Sequence, residues 1–488
     1  MTSTLSSSAA RGGAVTLGFQ AVRLIIMFGS LVVLARLIDP ASFGLMAMVT
    51  SIIGVAEIFR DFGLSMAALQ ARDLTRGQQS NLWWINFGIG LLLTSIVFAL
   101  AVPISSFYGE PDLVLVVQVM SVTFLLGGAS TQFRVHINRG LRFVALSITD
   151  VVPYLLSTVL AIVLAASGAG LWALVAQQVG TAAFGLVLAV ALARWFPGLP
   201  RRGEDMSTLL RFGVSLAATQ VLGYATRNLD SISIGRVWGA VELGAYDRAY
   251  QLMVLPINQI NTPLSRVAVP VLSRLKGEAD RLIAYVRQAQ LVALYVTGAI
   301  FSLLAALGPQ IVLFVLGPDW GDAGTLVSLL AIGGVFRSLV QICFWIYMSQ
   351  GYATQQLRYF LVSQPLLIGT MLTGLPWGAD GVALMYSVAY VLYWAASLMW
   401  VGRVASLNVA PMFVDVARAL LIFAAPGAVA AYVVVHLAGQ LPSPIALLLA
   451  LLAAMAWYAL SWLLVPRVRK DLNTLRAFGM KALSRKSK

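Results

Sequence analysis

Apolar residues in this chain gather into runs of about 20 or more, parted by short segments of glycine, proline and charge. The runs fall at 14–37, 43–69, 82–107, 113–135, 146–167, 171–194, 209–236, 241–271, 288–316, 323–350, 358–375, 380–402, 413–437 and 442–465. At about 1.5 Å of rise per residue, such runs suffice for helices that cross the hydrocarbon layer of a bilayer. Pro103, Pro153, Pro256, Pro263 and Pro365 lie within or near the runs. Several helices are therefore expected to bend, their freed backbone groups satisfied by neighbouring helices. The pattern predicts an all-α polytopic membrane protein of roughly fourteen transmembrane helices.

Composition narrows the class further. Of 488 residues, 59% are hydrophobic and 11% charged, against roughly 25% charged in an ordinary soluble domain. A soluble globular chain and a disordered one are both excluded, and little length remains for a water-soluble domain. Cys343 is the single cysteine and lies in an apolar run, so neither an intrachain disulfide nor a cysteine metal site is expected. His136 and His436 are too far apart in the chain, and on opposite expected membrane sides, to share a metal. The segment 1–14 carries one basic residue, Arg11, and lacks the basic start of a signal peptide, so the first run is expected to be a retained span.

Charge orients the spans. Connections after the odd-numbered spans hold no Lys or Arg apart from Arg36 and Arg236 at their edges. Those after the even-numbered spans carry Arg72 and Arg76; Arg134, Arg139 and Arg142; Arg194, Arg201 and Arg202; Arg274, Lys276, Arg281 and Arg287; Arg358; and Arg403. The positive-inside rule then places both termini in the cytoplasm. Trp83, Trp84, Trp172, Trp195, Trp320, Trp377 and Trp462 fall at span ends, as in an aromatic belt. The net charge of +14, from 33 basic and 19 acidic residues, would suggest a nucleic-acid partner in a soluble chain. Here the cytoplasmic connections and the tail account for most of it. From Arg467 onward, the tail holds eight basic residues against Asp471, and Leu472, Leu475, Phe478 and Met480 give it the makings of an amphipathic helix on anionic lipid. A plain basic anchor is the alternative.

A repeat organises the spans. Arg36 is followed after eight residues by Gly44, and Arg236 by Gly244; Gln20/Gln220, Leu64/Leu264, Ala68/Ala268 and Gly77/Gly277 keep the same offset of 200. An offset of six spans makes the halves parallel, related by an axis along the membrane normal. The expected organisation is an N-lobe of six helices at 1–205, a C-lobe of six at 206–405, two further helices at 406–466 and the basic cytoplasmic tail at 467–488.

Several motifs resemble a known family. They are Arg227-Asn228-Leu229-Asp230, Ile234-Gly235-Arg236, Leu243-Gly244-Ala245-Tyr246, Ala249-Tyr250-Gln251-Leu252, Leu255-Pro256 and Val269-Pro270-Val271-Leu272-Ser273-Arg274-Leu275. With them go Leu316-Gly317-Pro318-Asp319-Trp320, Asp61-Phe62-Gly63-Leu64 and Arg139-Gly140-Leu141-Arg142-Phe143. Together they resemble the bacterial polysaccharide exporters, the Wzx-type, colanic-acid and exopolysaccharide branch of the MATE-like MOP flippase superfamily. The resemblance implies a two-lobed fold of twelve to fourteen helices in the bacterial inner membrane. It further implies a flippase that moves undecaprenyl-pyrophosphate-linked oligosaccharide from the cytoplasmic to the periplasmic leaflet for exopolysaccharide, capsule or O-antigen synthesis. A polysaccharide polymerase and a chain-length regulator would be its partners, besides membrane lipids.

Charges inside the hydrocarbon layer are costly unless paired or wet, which makes them functional candidates. Glu57, Arg60 and Asp61 share one face of span two at i, i+3 and i+4; Arg227 and Asp230 stand at i, i+3 in span seven, as do Gln20 and Arg23 in span one. One reading makes each set a self-neutralised structural pair. The other turns these helices toward a central cavity, where Arg23, Arg60, Arg227, Arg248 and Arg337 offer guanidinium forks that match phosphate oxygens. Asp247 adjoins Arg248 on a different helical face and is not expected to pair with it. Arg36 and Arg236 are expected to snorkel at span edges. No Gly-x-x-x-x-Gly-Lys-Ser/Thr loop occurs, so no P-loop nucleotide site is expected. No cofactor is expected either. If transport is driven, H+ or Na+ would bind at Glu57, Asp61 or Asp230. An ion-coupled multidrug or metabolite exporter of the same superfamily is the alternative function and would call for an acidic, aromatic cavity. An enzyme is not expected, because the periplasmic connections are too short to hold a catalytic set.

Overall fold

The computed structural model describes residues 2–473 apart from 62, 72, 205, 439, 440 and 442, and leaves out the side chains of 2–15, 17, 208–223 and 225–227. Its helices are α1 (Thr2–Leu37), α2 (Pro40–Asp61), α3 (Leu64–Gln70), α4 (Arg76–Ala99), α5 (Ala101–Tyr108), α6 (Leu113–Arg139), α7 (Phe143–Ala166) and α8 (Leu171–Ala193). There follow α9 (Ser207–Ser273), α10 (Ala279–Val315), α11 (Gly321–Gln350), α12 (Ala353–Leu372), α13 (Gly378–Ala405), α14 (Ala410–Ala419), α15 (Ala425–Leu437) and α16 (Ser443–Leu464). Among the described residues, eleven stretches are long and apolar enough to cross a membrane. One of them, Ala353–Val404, carries two of the expected spans, and α9 carries two more, broken where Gly239 takes a φ of 85°. Among the described residues, all fourteen apolar runs are thus helical, and the chain is a multi-pass membrane protein. Where runs break, the cause is local: Gly63, in the left-handed region, parts α2 from α3, and a π-helical turn at Leu420–Ala424 joins α14 to α15.

Two compact units emerge, Met1–Gly244 and Ala245–Lys488. The first unit takes in the expected N-lobe, 1–205, together with the first part of α9. There the Tyr224 hydroxyl donates to the Thr50 carbonyl of α2 (2.9 Å). A Cβ on Gly44 would lie 1.7 Å from the Ala240 carbonyl oxygen, and one on Gly244 would lie 2.0 Å from that of Pro40. The two glycines singled out by the repeat are therefore the points where the start of α2 and the middle of α9 touch backbone to backbone, as small residues permit between membrane helices. Gly90 of α4 and Gly128 of α6 allow a second close crossing: their absent Cβ atoms would fall 2.6 and 2.4 Å from carbonyl oxygens of the facing helix.

In the second unit α10 and α11 approach through Gly308 and Gly324. Trp320 does not join an interfacial belt. It sits in the 3-10 turn Pro318–Trp320 with 1% exposure, so it packs the interior of its unit, while Trp84, Trp172 and Trp377 are exposed. Helix α16 ends at Leu464, and a further helical segment, 466–473, follows Val465. Leu475, Phe478 and Met480 of the expected amphipathic tail lie outside the described residues.

Candidate functional site

Within the first unit a cavity of about 510 Å³ opens between α1, α2, α3, α6, α7 and α8. Three guanidinium groups line it, those of Arg23, Arg60 and Arg134, against the carboxylates of Asp61 and Asp150. Hydroxyls of Ser65, Ser130, Thr131, Thr149 and Thr181 complete a polar wall. Helix geometry explains the convergence. Arg60 and Asp61 close α2, the turn at Gly63 swings Ser65 back toward them, and Gly127 on α6 leaves the space that the Arg60 side chain fills. A Cβ on Gly127 would lie 2.2 Å from Arg60 Nη1.

The cavity charges are held unequally. Arg60 Nη1 pairs with Glu57 at 2.9 and 3.1 Å, whereas its Nε is buried with no hydrogen-bond partner. Arg23, exposed on α1, makes no ion pair or hydrogen bond among the described residues. Asp61 is not paired with Arg60, although the two are sequence neighbours. It accepts instead from the Ser65 hydroxyl and from the Ser65 backbone N–H (3.3 Å), and so ties the end of α2 to α3. Arg134 pairs with Asp150 and donates to the Thr149 carbonyl at 3.2 Å. Both members of this pair were passed over in the sequence reading, Arg134 as a loop charge. Asp150 offered the missing signal, a lone carboxylate four residues into an apolar run.

Other candidates lie elsewhere. Asp230 is buried in the first unit, where its Oδ1 accepts from the Ser231 backbone N–H (2.9 Å); the Arg227 side chain lies outside the described residues. Arg236 is exposed and rests over the Phe107 ring at 5.7 Å. Arg248 belongs to the second unit, and the expectation about its neighbour is corrected: its Nη2 pairs with Asp247 at 2.6 Å. Adjacent helical residues point about 100° apart, but the long arginine stem curls back far enough to meet the carboxylate. Arg337, also in the second unit, is enclosed by tyrosines. Its Nη1 donates to the Tyr250 and Tyr386 hydroxyls, each at 2.7 Å, and its guanidinium lies 5.4 and 5.7 Å from the Tyr250 and Tyr390 ring centres. Two arginines of the Arg139-Gly140-Leu141-Arg142-Phe143 motif hold helix ends. Arg139 donates to the carbonyls of Ala68 and Ala71 at the end of α3, and Arg142 to Leu192 near the end of α8 (2.8 Å). Carbonyls left over at helix C-termini are natural partners for such cations.

Comparison with known proteins places this geometry in a family. The "Lipopolysaccharide biosynthesis protein WzxC" of Escherichia coli (strain K12) is 27% identical over 331 residues, 66% of each chain. Among solved structures, lipid II flippase MurJ in an inward closed conformation aligns with a TM-score of 0.69 and 12% identity, over 91% of this chain and 98% of its own. An inward-facing multidrug resistance MATE family transporter of the MOP superfamily aligns at 0.60 and 13%, over 80% and 99%. At such identities the structures establish a shared MOP-type fold and nothing more. The family model described as "Polysaccharide biosynthesis protein" matches residues 33–325, more than half of the sequence, and the chain belongs to that family.

Proposed function

We propose that the protein is a flippase that carries undecaprenyl-pyrophosphate-linked oligosaccharide repeat units across the bacterial inner membrane by alternating access, rather than an enzyme. The convergence of Arg23, Arg60 and Arg134 on one cavity, in a member of a polysaccharide biosynthesis family, carries the reading. A diphosphate leaving water needs charge-assisted donors, and planar guanidinium forks supply them two at a time. The cavity volume falls within the ~300–1,000 Å³ typical of small-molecule sites. Arg60 Nε, buried without a partner, and Arg23, which pairs with nothing among the described residues, are the donors this reading assigns to the phosphates, while Arg134 exchanges part of its bond to Asp150 for substrate. Arg227, Arg248 and Arg337 complete the proposed set of phosphate-binding arginines.

The same reading sets both termini in the cytoplasm. It takes a polysaccharide polymerase and a chain-length regulator as partners on the far side. Ion coupling, if transport is driven, would use H+ or Na+ at Glu57, Asp61 or Asp230. Asp61 is the most apt of the three, since its partner is a neutral hydroxyl and its charge can change without stranding an arginine. The multidrug alternative fits the cavity poorly: three guanidinium groups repel organic cations, which favour carboxylates and aromatic faces. Deleting the gene tests the proposal. Lipid-linked repeat units should accumulate and surface polysaccharide should disappear; normal polysaccharide with no accumulation would overturn it.

A further inference from the structure

A second polar cavity, of about 690 Å³, lies in the second unit between the third and fourth turns of α10, α14 and the helical segment 466–473. Arg287, Arg418, Arg467 and Lys470 line it against Asp415 and Asp471, four cations to two anions. Its frame is rigid. Asp415 is fully buried; it accepts from Nε and Nη2 of Arg287 and forms an ion pair with Arg418 at 3.2 Å. Asp471, the single acid of the tail, accepts from Arg418 (2.7 Å) and from the Tyr295 hydroxyl (3.0 Å), while Val468 is buried beside it. The segment after the last span is therefore docked on α10 and α14 by its acid, and two of its bases, Arg467 and Lys470, line the cavity.

We propose that this cavity binds the phosphodiester of an anionic phospholipid. Three observations support an anion. Arg467 is exposed and makes no ion pair or hydrogen bond among the described residues; Arg418 Nε is buried with no partner; and the two buried-side carboxylates are already spent on holding arginines in place. One observation selects a lipid over a soluble anion. Val414, which lines the cavity, and Leu421, one heptad on along the same face, are 62% and 71% exposed. This apolar stripe continues from the phosphate-binding end toward the middle of the membrane, where acyl chains would lie. The level is also right: Arg287 directly precedes the apolar run 288–316, and Arg467 follows the end of α16 by three residues. Basic pockets between helices at that depth are suited to lipid head groups. The site is separate from the proposed substrate cavity and is independent of how the termini are oriented.

The test uses the full chain in nanodiscs, with phosphatidylglycerol in phosphatidylcholine as the probe and native mass spectrometry to count phosphatidylglycerol retained after delipidation. Wild type should retain it in preference to phosphatidylcholine. The Arg467→Ala/Lys470→Ala pair should lower its affinity by roughly thirtyfold, at about 1 kcal/mol per basic residue. Arg469→Ala is the control, because Arg469 stacks on Trp462 at 5.5 Å outside the cavity, and it should leave retention unchanged. The double variant removes two exposed side chains and keeps Arg287, Arg418, Asp415 and Asp471, which make the ion pairs of the frame. Equal retention of the two lipids, an unchanged double variant, a loss as large in Arg469→Ala, or displacement by millimolar inorganic phosphate would each overturn the proposal.

Discussion

Replacing Gly127 by alanine isolates the position of one guanidinium from the stability of the fold. The added Cβ would stand 2.2 Å from Arg60 Nη1 and 2.9 Å from its Cδ, while ordinary contact begins at 3.4 Å. The Arg60 head must therefore retreat by about 1.2 Å. Its Nη1 bond to Glu57 is 2.9 Å long, so a retreat along that line stretches it to about 4 Å, beyond hydrogen-bonding range. The moving group is the far end of a flexible side chain, so the cost to folding should stay below about 1 kcal/mol. The substrate donor, by contrast, is displaced from its place, and a displacement of about 1 Å can lower function by roughly a hundredfold. Surface polysaccharide in a deletion strain complemented with Gly127→Ala, with protein level and thermal midpoint measured alongside, reads both effects. The expected result is strongly reduced export with near-normal stability. Wild-type export would refute the assignment of Arg60 to the substrate.

The contact of Gly44 with Ala240 is different, because the obstacle at 1.7 Å is backbone; Gly44→Ala should destabilise by about 1–3 kcal/mol, whereas Gly88→Ala, with nothing within 4 Å, should not, as thermal unfolding in detergent will read. Arg134→Gln and Asp150→Asn separate an anion site from a structural ion pair. The pair is about one-third exposed, so each should change stability by less than about 1 kcal/mol, but export should fall in Arg134→Gln and survive in Asp150→Asn; equal loss in both would make the pair merely structural. Asp415→Asn strips the charge between Arg287 and Arg418 at a fully buried position and should cost about 3 kcal/mol, seen as a lowered midpoint and a protease-sensitive C-terminus.

The spans and their number were legible because both rest on hydrophobic periodicity, which the chain writes out directly. Gly44 and Gly244 stood out as a repeat before their mutual packing was visible, since only residues without a side chain allow backbones that close. Side-chain partners were less legible. The 100° step of a helix argued against Asp247 as partner of Arg248, but the reach of an arginine stem overrides the angle. The tyrosines around Arg337 come from positions 250, 386 and 390, brought together by helix packing that no local pattern encodes. Arg134 sits at a span end where charge bias alone explained it, so its turn toward Asp150 was hidden. Trp320 matched an interfacial position by register but is buried because its 3-10 turn folds inward.

The central claim, that arginines of the first-unit cavity carry a lipid-linked glycan across the bilayer, is tested most directly in proteoliposomes. Lipid-linked repeat units extracted from the deletion strain would be reconstituted with the purified protein, and their exposure to a membrane-impermeant glycosidase followed in time. Wild type should bring the inner-leaflet pool within reach of the enzyme, and Arg60→Ala/Arg134→Gln should leave that pool protected although the protein remains folded. Equal exposure of the pool by wild type and by the double variant would contradict the account.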